Sequence, residues 1–461
     1  MSSHKILSVA TLSVLLAGCS MMPTYERPAA PVPAAFPYPS AQQGAPASEL
    51  DWQQFFADAR LRGLIATALR NNRDLRVAVA NIAQARAQYD IRNADRFPTV
   101  GAGLSGSRAP NTAGEQATML TATLAFSAWE IDFFGRIASL SEAALAQYLA
   151  TEEGRKAAQV ALVASVANTW LNLAADEELL AITRQTLATR EESQRLTRLR
   201  FENGASSEID FRLAQSLAEG ARATLAQLQR QRATDLNALG LLLGEAVPPD
   251  YRVDITTEGL ELPDVPAGLP SQVLVRRPDV RQAEQQLVAA NANIGAARAA
   301  FFPRISLTAG IGSASSELSG LFSGGSWGYT VAPSLLQPIF DAGRNRAGLA
   351  SAQATREVAL AQYERAIQQA FREVADALAG RATWSEQVRA QAAVVEAEAV
   401  RFRLARLRYD NGIASYLDLL DAQRSLFAAE QGLVQARLAR LQNQVQLYRS
   451  LGGGWTEVPA S

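Results

Sequence analysis

"RLRYDNGIASYLDLLDAQ" at 406–423 restates "RLRFENGASSEIDFRLAQ" at 198–215. Gly204 and Gly412 lie 208 residues apart. Each stretch reads as a helix end, an Asn-Gly turn and a new helix start. Glycine accepts the left-handed conformation that closes a helix, and Ser207 or Ser415 can cap the helix that follows. The same construction written twice predicts an internal duplication.

Other landmarks extend it. "NNRDLR" ends at Arg76 and "RRPDVR" at Arg281; "RFP" ends at Pro98 and "FFP" at Pro303, an offset of 205. "FGR" at 134–136 answers "AGR" at 342–344. The chain therefore divides into a signal segment 1–18, a Pro-rich linker 19–50, repeat 1 over 51–247, a second Pro-containing linker 248–270, repeat 2 over 271–455 and a tail 456–461.

Most of each repeat reads as helix. From Gly135 to about Phe201 there is no proline, and only Gly154 interrupts. Such a helix is on the order of 100 Å long, a length typical of coiled coils. Val163, Val166, Trp170, Leu173, Leu180 and Leu187 form a heptad seam. Leu420, Phe427, Val434, Leu441 and Tyr448 recur every seven residues. Arg424 interrupts the companion row of Leu417, Leu438 and Val445, and Asp421 three residues earlier can pair with it along the helix.

Four short segments follow a period of two: 98–109, 116–129, 303–315 and 326–340. Leu120, Ala122, Leu124 and Phe126 alternate with Thr121 and Thr123. Ile305, Leu307, Ala309 and Ile311 alternate with Ser306, Thr308 and Gly310. These are strands with one apolar and one polar face, each about long enough to cross a bilayer at a tilt. Phe97, Trp129, Phe302, Trp327 and Phe340 cluster at their ends, where an interfacial girdle lies. Four strands are too few to close a barrel in lipid, so several chains must share one; three give twelve strands.

Composition removes other classes. The only histidine is His4 and the only cysteine Cys19, so the mature chain lacks the groups for Ser-His-Asp chemistry or a His/Cys zinc site. "GGSWG" at 324–328 matches a nucleophile-elbow pattern, but it falls in a hairpin and no histidine can activate Ser326. Neither Lys5 nor Lys156 sits in a phosphate-binding loop. The net charge of -1 argues against nucleic acid as a partner. No enzyme, cofactor or metal site is expected. Residues 4–20 have a basic start, a short apolar run and a small-residue ending before Cys19, the pattern of an export signal. Leu16-Ala17-Gly18-Cys19 resembles a bacterial lipobox, which makes Cys19 the expected lipid anchor, and Ser20 after it favours the outer membrane.

"ANANIGAARAAFFPRISLTA", "WEIDFFGR", "LDLLDAQRSLF" and the closing "LGGGW" resemble the TolC-type outer-membrane efflux channels, OprM-like lipoprotein branch, across 19–455. The resemblance implies a mainly α fold with a membrane β-barrel: a homotrimer with a twelve-stranded barrel and a long periplasmic α-helical barrel. It implies passive exit of drugs and amphiphiles from an inner-membrane resistance-nodulation-division (RND) transporter through a periplasmic adaptor. Protein secretion or metal-ion efflux on the same fold is the alternative. It makes Asn203, Gly204, Ser207, Asn411, Gly412 and Ser415 an adaptor-contacting tip. It makes Leu417, Asp421 and Arg424 a periplasmic gate. Repeat 1 has Ile209, Leu213 and Ser216 at the gate positions and lacks the ion pair, so the second hairpin is expected to move more.

Overall fold

The structure is a computed structural model describing residues 20–38, 47, 50–110, 112, 114–248, 251–268 and 270–455. The signal segment, Cys19 and the tail 456–461 lie outside the described residues. In chain order the elements are α1 (Trp52–Phe55), α2 (Ala59–Asn71), α3 (Arg73–Ala94), β1 (Gly101–Pro110), β2 (Gln116–Glu130), α4 (Arg136–Glu202) and α5 (Glu208–Leu243). After the linker come α6 (Pro270–Val273), α7 (Pro278–Ala299), β3 (Arg304–Ser315), β4 (Trp327–Leu336), α8 (Arg344–Asp410) and α9 (Tyr416–Ser450). The duplication is visible in the lengths: α4 and α8 each have 67 residues, α3 and α7 each 22. The molecule is mainly helical, with tandem α+β repeats and long paired helices. It divides into two compact units, and each draws on both repeats.

The first unit (Met1–Ala29, Ala80–Glu153, Arg281–Arg365) holds the sheet. Its order is β1-β2-β3-β4, so the two hairpins are joined through β2 and β3. The register separates the faces. Ala102, Leu104, Leu124, Ala122, Ile311, Ala309, Tyr329 and Val331 share one face through the pairs Ala102↔Leu124, Leu104↔Ala122, Leu124↔Ile311, Ile311↔Tyr329 and Ala309↔Val331. The other carries Gly103, Ser105, Thr123, Thr121, Gly312, Gly310, Gly328 and Thr330. Side chains on opposed residues lie on the same side of a pleated sheet, so the apolar and the small polar sets do not mix. A bulge between Phe126 and Trp129 carries Ala128 at φ 51°, and its N–H donates to Thr308 Oγ1 at 2.9 Å. β4 ends at Leu336 rather than near 340, because Pro338 has no N–H to continue the ladder and Gln337 instead donates to the Phe301 carbonyl. Proline is tolerated at edges, and Pro110 and Pro333 both sit on the outer strands.

The second unit (Ala30–Val79, Gly154–Val280, Ala366–Ser461) holds the main core. The heptad seam packs there: Val163, Val166, Trp170 and Leu173 of α4 meet Leu441, Val445 and Tyr448 of α9, Phe55 of α1, Phe56 just after it and Ile65 of α2. Phe55 stacks on Tyr448 at 4.0 Å, and the Tyr448 hydroxyl donates to the Leu50 carbonyl at 2.7 Å. α4 carries one stretch apolar enough to cross a membrane by composition, but most of it is buried in the protein. The linker at 248–270 is not a bare spacer. Val253, Leu260 and Val265 are buried in the same core, and Glu178 accepts from both the N–H and hydroxyl of Thr257. The duplicated "NNRDLR" and "RRPDVR" motifs do equivalent jobs. Asn72 donates to the Leu242 carbonyl and Arg277 to the Ser450 carbonyl, tying the starts of α3 and α7 to the ends of α5 and α9.

Asp176 of α4 is buried facing Asp235 of α5. Burial first, and the neighbouring Asp235 carboxylate second, push its pKa from 3.8 up to about 7. A raised carboxyl pKa stabilises the folded state below the ordinary value, and that contribution disappears as pH climbs to about 7. Asp176→Asn, which keeps a hydrogen bond to Asp235 without the charge, is expected to raise the thermal midpoint at pH 8 and to lose that advantage toward pH 4. Equal midpoints at pH 8 would refute the burial argument.

Candidate functional site

The two helical turns of the second unit bring the repeated stretch together. Their geometry is the same bond for bond. Gly204 and Gly412 have φ of 71° and 75°. Ala205 N–H donates to the Arg200 carbonyl at 2.7 Å, and Ile413 N–H to the Arg408 carbonyl at 2.8 Å. These six-to-one bonds are Schellman closures. Asn203 and Asn411 each send a side-chain amide back to a carbonyl four residues earlier, Leu199 and Leu407, at 2.7 Å. Ser207 and Ser415 then cap α5 and α9 in full capping boxes with Asp210 and Asp418. The Ser415 hydroxyl and N–H hold the Asp418 carboxyl below its usual range. All six expected tip residues therefore sit at the turns, as helix-closing and helix-opening groups.

The three expected gate residues lie on one exposed face of α9. Leu417 is 60% exposed, and Asp421 and Arg424 follow one and two turns later. Their pairing differs from the expectation. The Asp421 carboxylate takes Arg401 of α8, which also reaches Glu398 and the Ser425 hydroxyl. Arg424 has no ion pair among the described residues and is exposed rather than set in the seam. Arg401 is held beside Asp421 by Glu398 and Ser425, so the carboxylate is satisfied across the hairpin and Arg424 is left facing outward.

Three groups here escaped sequence reading. Arg190 of α4 is 6% exposed, donates to the Leu217 carbonyl at 3.2 Å and lies 5.0 Å over the Phe427 ring. Burial, then the charge of Arg424, lowers its pKa. Tyr416, the first residue of α9, is buried and shares a 2.7 Å hydrogen bond with Ser193 of α4. Arg200 lies over the Tyr409 ring at 5.3 Å and donates to its hydroxyl. Ser193, Tyr416, Arg200 and Tyr409 line a cavity of about 400 Å³ with Leu196 and Phe402. Only the residue types were legible: Ser193 and Tyr416, Arg200 and Tyr409, and Arg190 and Phe427 are each more than 200 residues apart, and even the Arg190 bond to Leu217 crosses the turn.

In the first unit the expected girdle residues fall at two levels. Trp129, Phe302 and Phe340 are near the ends of β2, β3 and β4 that lead into helices, with Phe302 stacked on Phe134 at 4.7 Å. Phe97 precedes β1 at the same end, 67% exposed. Trp327 stands at the other end of β4, 58% exposed, beside Phe322. The nine steps from Trp327 to Leu336 cover about 30 Å, close to the hydrocarbon thickness of a bilayer.

Comparison with known proteins settles the family. The model of the outer membrane efflux proteins matches residues 64–245 and 269–453. The chain belongs to the outer membrane efflux protein family. Within it, the chain is 47% identical to the antibiotic efflux pump outer membrane protein ArpC of Pseudomonas putida, over 99% of this chain and 96% of that one. The toluene efflux pump outer membrane protein TtgC, also of P. putida, gives the same figures. The open-state crystal structure of the Neisseria gonorrhoeae MtrE outer membrane channel superposes with a TM-score of 0.88 at 39% identity, covering 95% of this chain and 99% of that one. As a member of this TolC-type family the protein is the outer-membrane channel component of an efflux pump, with its helical part extending into the periplasm.

The turn geometry sets a test. Gly412→Ala places an L side chain at φ 75° and is expected to cost about 1 kcal/mol. Ser415→Ala removes the cap of α9 and is expected to cost about the same. Hydrogen exchange in the first two turns of α9 should quicken for both. Unchanged protection would mean that the turns are held by something other than their own bonds.

Proposed function

We propose that three copies of the chain close a twelve-stranded barrel and a periplasmic helical barrel, through which drugs and apolar organic solvents leave an inner-membrane RND transporter by way of a periplasmic adaptor. The observation that carries this is the separation of the sheet faces. The apolar face suits lipid, the face of Gly, Ser and Thr suits a water-filled lumen, and β1 and β4 each keep an unpaired edge among the described residues. The relatives' names support the cargo class: one serves antibiotic efflux and another toluene efflux. The tip residues Asn203, Gly204, Ser207, Asn411, Gly412 and Ser415 would meet the adaptor. Leu417 would narrow the pore, with Asp421 held by Arg401 and Arg424 left for a neighbouring copy.

Acylation of Cys19 fits the course of the segment after it. Arg27 forms a two-point pair with buried Glu284 at 2.6 and 3.0 Å, and Tyr25 donates to the same carboxylate. Asn291 then donates to the Pro23 carbonyl and Arg298 to that of Met21. Along α7, Glu284 to Arg298 is about 21 Å of helix; Arg27 to Met21 is about 20 Å of extended chain. Ser20 thus reaches the end of α7, five residues before β3 begins. That is the level at which a lipid on the preceding residue would enter the membrane.

A strain lacking the chain, tested on a panel of antibiotics and toluene, should become sensitive and be rescued by the intact gene; unchanged tolerance would overturn the cargo assignment. Cys19→Ser should reduce rescue by lowering the amount of chain in the outer membrane. In planar bilayers, Asp421→Ala and Arg401→Ala should each raise conductance to a similar degree. A rise with neither variant would remove these residues from the gate.

A further inference from the structure

The return helix of the second hairpin, α9, is gripped from two sides by one position of the ancestral repeat. Ser193 of α4 and Arg401 of α8 are 208 residues apart, the offset that relates the two turns. Arg401 holds Asp421, and Ser193 holds Tyr416. Both captured residues belong to α9. The first hairpin's own return helix has no such grip at the equivalent places: Glu208 answers Tyr416 and is exposed, paired with Arg212 of the same helix, and Leu213 answers Asp421.

Tyr416 differs from its neighbours in burial. Ile413 is 68% exposed and Leu417 60%, whereas Tyr416 is 8% exposed. Its ring packs with Ala214 of α5, Leu420 of α9 and, at 5.4 Å, Tyr409 of α8, while its hydroxyl reaches Ser193 of α4. One side chain thus joins all four helices where the two hairpins meet. It immediately follows the cap and immediately precedes Leu417, so displacement of Leu417 against the first hairpin must strain or break the Tyr416 contact.

We propose that Tyr416 is the pin that fixes the second hairpin to the first, and that release of its hydrogen bond to Ser193 is part of channel opening. This rests on the gate assignment above, and assigns Tyr416 and Ser193 as positioning residues for Leu417. A partly buried hydrogen bond has a net worth that corresponds to about fivefold in an opening equilibrium.

Tyr416→Phe removes the hydroxyl and keeps the ring, so packing with Tyr409, Ala214 and Leu420 survives. Ser193→Ala removes the partner. Open-channel occupancy of each variant and of the double variant is read in planar bilayers, with Asp421→Ala alongside. The pin predicts a rise of about fivefold for each single change and no further rise for the double, since both delete the same bond. Cellular uptake of a bulky antibiotic should follow the same order. Occupancy unchanged by Tyr416→Phe while Asp421→Ala raises it overturns the pin and leaves the gate. Effects that multiply in the double variant also overturn the pin, because the two groups then act separately. No response to any of the variants, Asp421→Ala included, overturns the gate and the pin with it.

Discussion

A four-stranded sheet with two unpaired edges cannot rest in lipid. Each unbonded N–H or C=O in hydrocarbon costs several kcal/mol, and β1 and β4 present a row of them. Soluble proteins protect such edges by charge or by a covering helix, whereas β4 carries no charged residue from Trp327 to Leu336. The apolar face adds a second demand. Leu104 at 77%, Tyr329 at 84% and Leu335 at 65% exposure need a partner other than water. Symmetric closure by further copies, as proposed, would meet the first demand, and a bilayer would meet the second. Gly310 and Gly312 help the small face stay flat, since a Cβ at either would strike the backbone or side chains of β2.

The duplication explains much of the rest. Twice the chain writes helix, hairpin, long helix, turn and return helix, and twice the end of the return helix is tied to a short helix through Asn72 or Arg277. Divergence within that plan creates function. The position shared by Ser193 and Arg401 kept the job of holding a return helix, but both copies now hold α9. On the proposed gating the first hairpin would be the fixed reference, and the second carries the exposed Leu417, Asp421 and Arg424.

What the sequence disclosed was whatever is local or periodic. The heptad seam from Val163 to Leu180 and the row from Leu420 to Tyr448 lie in the core or beside it. The Asn-Gly turns and serine caps depend on residues at most five apart, so they could be read directly. Strands were found by their period of two, and the end of β4 was overextended, past Pro338. Long-range choices were hidden. Asp421 takes Arg401, twenty residues away across a turn, in preference to Arg424 three residues away, and no spacing rule ranks the two. Tyr416 read as an ordinary first helical residue because its partner Ser193 is 223 residues distant. The stretch 248–270 read only as a Pro-containing linker, because its buried Val253, Leu260 and Val265 are spread too widely to form a pattern.

Closure of the sheet between copies is tested most directly by disulfide trapping in outer-membrane fractions. Single cysteines placed along β1 at Ala102, Leu104 or Gly106 are combined with single cysteines along β4 at Gly328, Thr330 or Ala332. The account predicts that at least one combination gives a covalent ladder ending at three chains. A product that stays at one chain for every combination, or a ladder that runs on past three, would contradict it.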